Sequence, residues 1–169
     1  RLASPSLARR STQAARAEDV QAVRLSLSAE GRWLAFTSQA SNLVPGDTNG
    51  AEDIFVHDRQ TLETTRVSVA SDGTQGNNTS EAPHLSVDGR YVVFVSGAPN
   101  LVDVALASCV LNPWEELPAC RHVYLHDRET GGTELISLSD DGTPGDGASS
   151  GGSVSADGRW VAFTSFAGN

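Results

Sequence analysis

Lysine and methionine are both absent from these 169 residues. All 12 basic side chains are arginine, set against 21 Asp and Glu, so the formal net charge is −9 and the isoelectric point about 4.7. A chain this acidic lacks the clustered cations that binding a nucleic-acid backbone requires. Long apolar stretches are missing too. The longest, Val104 to Leu111, is eight residues and includes Ser108, far short of the roughly 20 that span a bilayer as a helix. No membrane span is therefore expected. Without methionine, Arg1 is not an initiator product, and the expectation is a processed chain or part of a longer one. No window of about eleven residues or more carries a helical period. No Gly-x-Ser-x-Gly elbow and no Cys-x-x-Cys pair occurs, which removes two common routes to nucleophile and metal chemistry.

Internal repetition is what the sequence does contain. Ser28-Ala-Glu-Gly-Arg-Trp-Leu-Ala-Phe-Thr-Ser38 returns as Ser86-Val-Asp-Gly-Arg-Tyr-Val-Val-Phe-Val-Ser96 and as Ser155-Ala-Asp-Gly-Arg-Trp-Val-Ala-Phe-Thr-Ser165, at offsets of 58 and 69 residues. Ile54-Phe-Val-His-Asp-Arg59 returns as Val123-Tyr-Leu-His-Asp-Arg128, and Ser68-Val-Ala-Ser-Asp-Gly-Thr74 as Ser137-Leu-Ser-Asp-Asp-Gly-Thr143, both at 69. Asn42-Leu-Val44 returns as Asn100-Leu-Val102 at 58, so eleven extra residues lie between Val102 and Val123. Each unit reads as four strands. In the second unit these are 82–86, 91–96, 122–127 and 133–138; in the first, the last three are 33–38, 53–58 and 64–69. The Asp-Gly dipeptides at 88–89 and 157–158 suit tight hairpins that need a positive φ. The second strand is apolar at nearly every position, which predicts cover on both faces.

Four-stranded units with stacked sheets at this period predict an all-β fold. The architecture expected is a β-propeller fragment of about two and a half four-stranded antiparallel blades. The expected organisation is 1–21 as a degenerate end of a preceding blade or a linker, 22–81 as blade one, 82–151 as blade two with a Cys-bearing insertion, and 152–169 as the first half of blade three. Bare outer faces on blades one and three predict marginal stability in isolation. The run Ser-x-Asp-Gly-Arg-aromatic-x-x-Phe-x-Ser, then Asn-Leu-Val, then aliphatic-aromatic-x-His-Asp-Arg, resembles the TolB-like, WD-repeat-like propeller repeats of bacterial extracytoplasmic proteins. It departs from them at Glu30 and in the insertion. That resemblance implies a periplasmic, surface or secreted location. It does not imply one function, since such repeats serve binding proteins and stand beside peptidase domains.

In an up-and-down blade, the loops after strands two and four share one rim. Here they are the long ones: 39–52, 70–81, 97–121 and 139–151. They carry ten carboxylates and only Arg121, so this rim is expected to be acidic. The candidate ligand-binding residues on it are Asp47, Asp72, Trp114, Glu115, Glu116 and Asp141. Asp47, Asn49 and Asp53 offer calcium-type oxygens around Gly50, although a fifth-position ligand and a twelfth-position Glu are missing; an Asx turn, its side-chain oxygens capping backbone amides, is the reading preferred. Cys109 and Cys120, with ten residues between them, predict a disulfide within the inserted loop. The rival readings are free thiols, or half a metal site with His122 and Glu116. His57-Asp58-Arg59 and His126-Asp127-Arg128 invite an acid–base reading, but repetition in each blade argues for a structural role. The expected function is a non-catalytic module meeting a protein, peptide or glycan through the acidic rim, without a required cofactor. The alternatives are an accessory propeller of a larger enzyme such as a serine peptidase, or a lectin-like chain that closes its ring with identical copies.

Overall fold

A computed structural model describes residues 24–106 and 120–169. The segment 1–21, Cys109, Trp114, Glu115 and Glu116 lie outside the described residues. Strands β1 (Leu25–Leu27), β2 (Trp33–Ser38), β3 (Asp53–Asp58) and β4 (Thr64–Arg66) pair in chain order as one antiparallel sheet. β5 (Ser80–Leu85), β6 (Tyr91–Ser96), β7 (His122–Asp127) and β8 (Thr133–Leu135) form a second, and β9 (Ser149–Val154) with β10 (Val161–Ser165) a third. β5 lies against both β1 and β9, so the first strand of each sheet is the innermost. The chain is thus all-β, with about two and a half blades. Among the described residues, no helix is long and apolar enough to cross a membrane.

The unbroken apolar run of the second strand has the cause that its pattern predicts. Val92 and Phe94 of β6 join Ala35, Ile54, Val56 and Val67 of the first sheet in one buried cluster. Val93 and Val95 point the other way, into a cluster with Val154, Val161 and Phe163 of the third. Each such side chain contributes roughly 1.5–3 kcal/mol when fully buried, and β6 supplies them to both neighbours. Within each complete sheet an aromatic pair repeats between the second and third strands: Phe36 on Phe55 at 5.8 Å and Phe94 on Tyr124 at 5.7 Å between ring centroids.

Serines of the repeat replace backbone partners. Ser28, Ser86 and Ser155 accept the amides of Trp33, Tyr91 and Trp160 at 3.1, 2.9 and 3.0 Å, closing the hairpins. The Oγ atoms of Ser68 and Ser137 accept the amides of Ile54 and Val123 at 3.1 and 3.2 Å. Those two bonds explain why the fourth strands stop at Arg66 and Leu135, short of the 64–69 and 133–138 read from sequence. A side-chain oxygen takes the amide that a longer ladder would have used.

Neighbouring sheets interlock through the Asp-Gly-Arg turns. Gly89 has φ +77° and Gly158 +74°. The Trp33 ring lies directly over Gly89, where a Cβ would collide with it, and a Cβ at Gly158 would lie 2.5 Å from the Tyr91 ring. The guanidinium of Arg128 stacks on the same Trp33 ring at 3.8 Å, a cation–π contact between blades. Gly73, at φ +85°, has nothing within 4 Å of the equivalent position. Gly73→Ala is therefore expected to cost only the left-handed penalty, about 1 kcal/mol. Gly89→Ala must also displace Trp33 and is expected to cost about 3 kcal/mol. Urea unfolding of the two variants side by side checks the difference.

Candidate functional site

The long loops meet at one rim and are tied to each other. Asn100 of blade two reaches back to the loop leaving blade one: its Oδ1 accepts the Asn77 amide at 2.9 Å and its Nδ2 donates to Gln75 O at 2.8 Å. Asn169 repeats this one blade later, accepting the Asp146 amide at 3.0 Å and donating to Pro144 O at 3.1 Å. The Asn of the Asn-Leu-Val motif is thus a brace between blades. Asn169 was not recognised as its third copy in the sequence, although the offset of 69 from Asn100 marks it.

The three calcium-type residues do come together, but protein donors face their oxygens. Asn49 Nδ2 donates to Asp53 Oδ2 at 2.9 Å and Ser68 Oγ to Asp53 Oδ1 at 2.6 Å. Gln75 Nε2 bridges Asp47 at 3.0 Å and Asp53 at 3.3 Å. The guanidinium of Arg66 lies 3.5 Å from Asp47 and 3.9 Å from Asp53. A cation from the chain's own β4 therefore already stands among these carboxylates, and the cluster's chemistry is to pin loop 39–52 onto loop 67–79. Burial raises the Asp53 carboxyl above its ordinary range, opposed by the Ser68, Asn49 and Gln75 hydrogen bonds and by Arg66. Among the described residues, no three His, Cys, Asp or Glu side chains are grouped to hold a metal ion. Arg66 and Gln75 were not anticipated because the repeat hides them: 69 residues on, Leu135 and Pro144 take their places.

The remaining rim carboxylates are differently placed. Asp72 is exposed at a turn tip, where its Oδ1 accepts the Thr74 amide at 2.8 Å. Asp141 occupies the same tip one blade on, accepting from Ser139 Oγ at 2.6 Å and from the Thr143 amide at 3.0 Å. The Ser139 and Thr143 bonds hold its carboxyl down to about 2. Asp140, Asp141, Ser139, Thr143 and Asn169 line an open depression of about 390 Å³. Asp103 and Asp146 are exposed on the same set of loops. Glu81 is instead paired with Arg121. The ligand-binding candidates thus divide: Asp47 is turned inward, Asp72 and Asp141 face solvent, and the insertion's three lie outside the described residues.

On the opposite rim, the His-Asp-Arg units do structural work. Asp58 and Asp127 each take a two-pronged arginine, Arg32 at 3.1 and 2.7 Å and Arg90 at 2.9 and 2.7 Å. They also accept the Gln60 and Glu129 amides that cap the following turn. The arginine bonds hold both carboxyls well below the ordinary range. Arg59 and Arg128 donate to the Gly31 and Gly89 carbonyls at 2.5 and 2.6 Å. His57 and His126 each place Nδ1 on a threonine hydroxyl, Thr64 at 3.0 Å and Thr133 at 2.9 Å. Thr133 Oγ1 in turn donates to Val69 O at 2.6 Å across the blade junction. His126 Nδ1 must therefore be the donor in its pair.

Burial lowers the His126 imidazole to about 4 and lowers His122 in the same direction. A histidine depressed in the folded state takes up its proton more readily when unfolded, so the stability it contributes is complete above about pH 6.5 and is lost as pH falls toward 4. Asp58 and Asp127, depressed in the folded state, add a further loss below the ordinary carboxylate range. Unfolding free energy is expected to be level from pH 7.5 to about 6.5 and to decline from there toward pH 4, and His126→Gln should flatten that decline.

No family model matches the chain, and no curated protein matches it in sequence. Solved structures do match. TolB from Acinetobacter baumannii aligns over 86% of this chain at 19% identity with a TM-score of 0.49. A chain described as TolB from Agrobacterium tumefaciens aligns over 89% at 16% identity and 0.52. The tricorn protease aligns over 85% at 8% identity and 0.50. This chain spans 26%, 41% and 11% of those three respectively. At such identities the likeness is one of fold, and the fold argument rests on the second and third. In fold, then, the chain is a TolB-like β-propeller fragment of about two and a half blades.

Proposed function

We propose that the chain is a non-catalytic interaction module, working outside the cytoplasm, that presents its acidic long-loop rim to a basic protein or peptide surface. The observation that carries this reading is the repeated exposed carboxylate at the tip of the loop between blades, Asp72 and then Asp141, with Asp140 beside it. Each tip is fixed by its own turn, so the charges are held in place on a rigid scaffold at no further ordering cost. A field of one sign on such a rim raises the encounter rate of a cationic partner and weakens with salt. The non-catalytic part of the proposal is supported by the histidines, which are committed to threonine hydroxyls, and by Asp58 and Asp127, which are committed to arginines.

Deca-arginine is a suitable probe. Its affinity for the whole chain is expected to fall steeply between 50 mM and 500 mM salt and to drop by about fivefold in the pair Asp72→Asn and Asp141→Asn. The pair Glu30→Gln and Glu63→Gln, which removes the same charge from the opposite rim, should change it less. Equal losses in both pairs, or a salt-independent affinity, would overturn the assignment.

The location rests on the second half of the proposal, that Cys109 and Cys120 form a disulfide closing the inserted loop. Such a clip persists in an oxidising compartment and contributes roughly 3 kcal/mol by limiting the unfolded loop. Cys120 is half-buried just before β7. Alkylation of the unreduced chain is expected to add no mass, and two adducts after reduction; two adducts without reduction would refute it.

A further inference from the structure

We infer that the cleft where blades one and two meet on the short-turn rim binds a small zwitterion of the amino-acid type with an apolar side chain. Arg128 takes the carboxylate, Asp88 and Glu129 the ammonium, and the Trp33 indole the side chain. The cleft is open, has a volume of about 400 Å³ and is lined by Trp33, Asp88, Gly89, Arg90, Arg128 and Glu129. That volume falls within the roughly 300–1,000 Å³ usual for small-molecule sites. Its walls come from β2, the turn between β5 and β6, and the turn after β7, all in the two four-stranded sheets.

Arg128 is the unusual group in this cleft. Arg32, Arg66, Arg90 and Arg121 each meet a carboxylate. Arg128 is half-buried and is ion-paired to none among the described residues. Its Nη1 donates to Gly89 O at 2.6 Å, and its guanidinium lies 3.8 Å from the centre of the Trp33 ring. Those two contacts hold the fork in place, and they leave Nε and Nη2 without a protein acceptor among the described residues. Cations taken out of water are ordinarily paired. Burial lowers the Arg128 pKa from its ordinary value, with Asp58 opposing that shift and Arg32 adding to it. An incoming carboxylate supplies the missing counter-charge, and a guanidinium held in this way is shaped to take it with two bonds.

Acceptors stand beside that donor. Asp88 Oδ1 accepts from Ser86 Oγ at 2.6 Å and from the Arg90 amide at 3.0 Å, and Glu129 Oε2 pairs with Arg90 Nη1 at 2.6 Å. Asp88 Oδ2 and Glu129 Oε1 have no hydrogen-bond partner among the described residues, and both side chains are exposed. The four ionic side chains of the cleft therefore carry no net charge. A dianion such as phosphate meets two carboxylates there, and a simple cation meets two guanidiniums. A ligand with separated charges meets a complement at each end. The cleft lies on the rim opposite Asp72 and Asp141, and the inference does not rest on their role.

The test titrates the whole chain with three compounds and follows the Trp33 indole N–H signal by NMR. They are L-phenylalanine, 3-phenylpropionate, which lacks the ammonium, and phenethylamine, which lacks the carboxylate. L-phenylalanine should give a saturable shift with a Kd on the order of millimolar. Each truncated compound should bind at least about tenfold more weakly. Arg128→Lys, which keeps the charge but loses the fork, should weaken L-phenylalanine about fivefold. Glu129→Gln should weaken it about threefold and should not weaken 3-phenylpropionate. Glu129 is exposed, so that variant tests the site even where a change at Arg128 disturbs the blade junction. No saturable shift up to about 50 mM L-phenylalanine, equal binding of either truncated compound, or an unchanged affinity in Glu129→Gln would each overturn the proposal.

Discussion

The second strand of blade two is covered on both faces, and the rest of the molecule follows from that requirement. Val92 and Phe94 need the first sheet; Val93 and Val95 need the third. A single sheet cannot meet both needs, so blades come in stacks, each completing the core of the one before. Stacking then sets how closely the turns approach. The hairpin glycine is fixed less by its own φ than by the indole or phenol ring lying on it. Arginines fill what is left at the junction, tied to carbonyls, carboxylates and ring faces.

Much of this was legible in the sequence, because the repeat samples the same environment more than once. The second-strand run, the Asp-Gly turns and the spacing of the units convert directly into strands, hairpins and stacked sheets. Short motifs were readable as recurrent but not as contacts. Nothing in His-Asp-Arg alone says that Asp58 meets Arg32, 26 residues earlier, since that pairing depends on the register of β2 with β3. The same limit applied to Asn100, whose partners lie in another blade.

Where the repeat breaks, the sequence was least informative. Asp53 and His122 occupy equivalent places, each bonded to the equivalent serine, Ser68 or Ser137. Around Asp53 the chain adds Asn49, Gln75 and Arg66 to satisfy a buried carboxylate. Around His122 it has no need of them, and Leu135 and Pro144 follow. One buried charge thus accounts for several differences between otherwise matching blades, and for why the acid-rich loop of blade one looked like an ion site. A similar divergence marks the innermost strands, where Ala82 at φ 56° and Gly151 at 64° hold the same irregularity. The glycine takes that conformation without strain, whereas the alanine carries a cost of about 1 kcal/mol.

The serine hydroxyls that cut β4 and β8 to three residues have an effect at the outer circumference. An exposed strand margin invites pairing with foreign chains, and proteins blunt such margins by keeping them brief. By handing the amides of Ile54 and Val123 to side-chain oxygens, the fold leaves little backbone there for fibril-like growth. In the two four-stranded sheets, the outermost strand thereby presents little of the margin on which such growth starts.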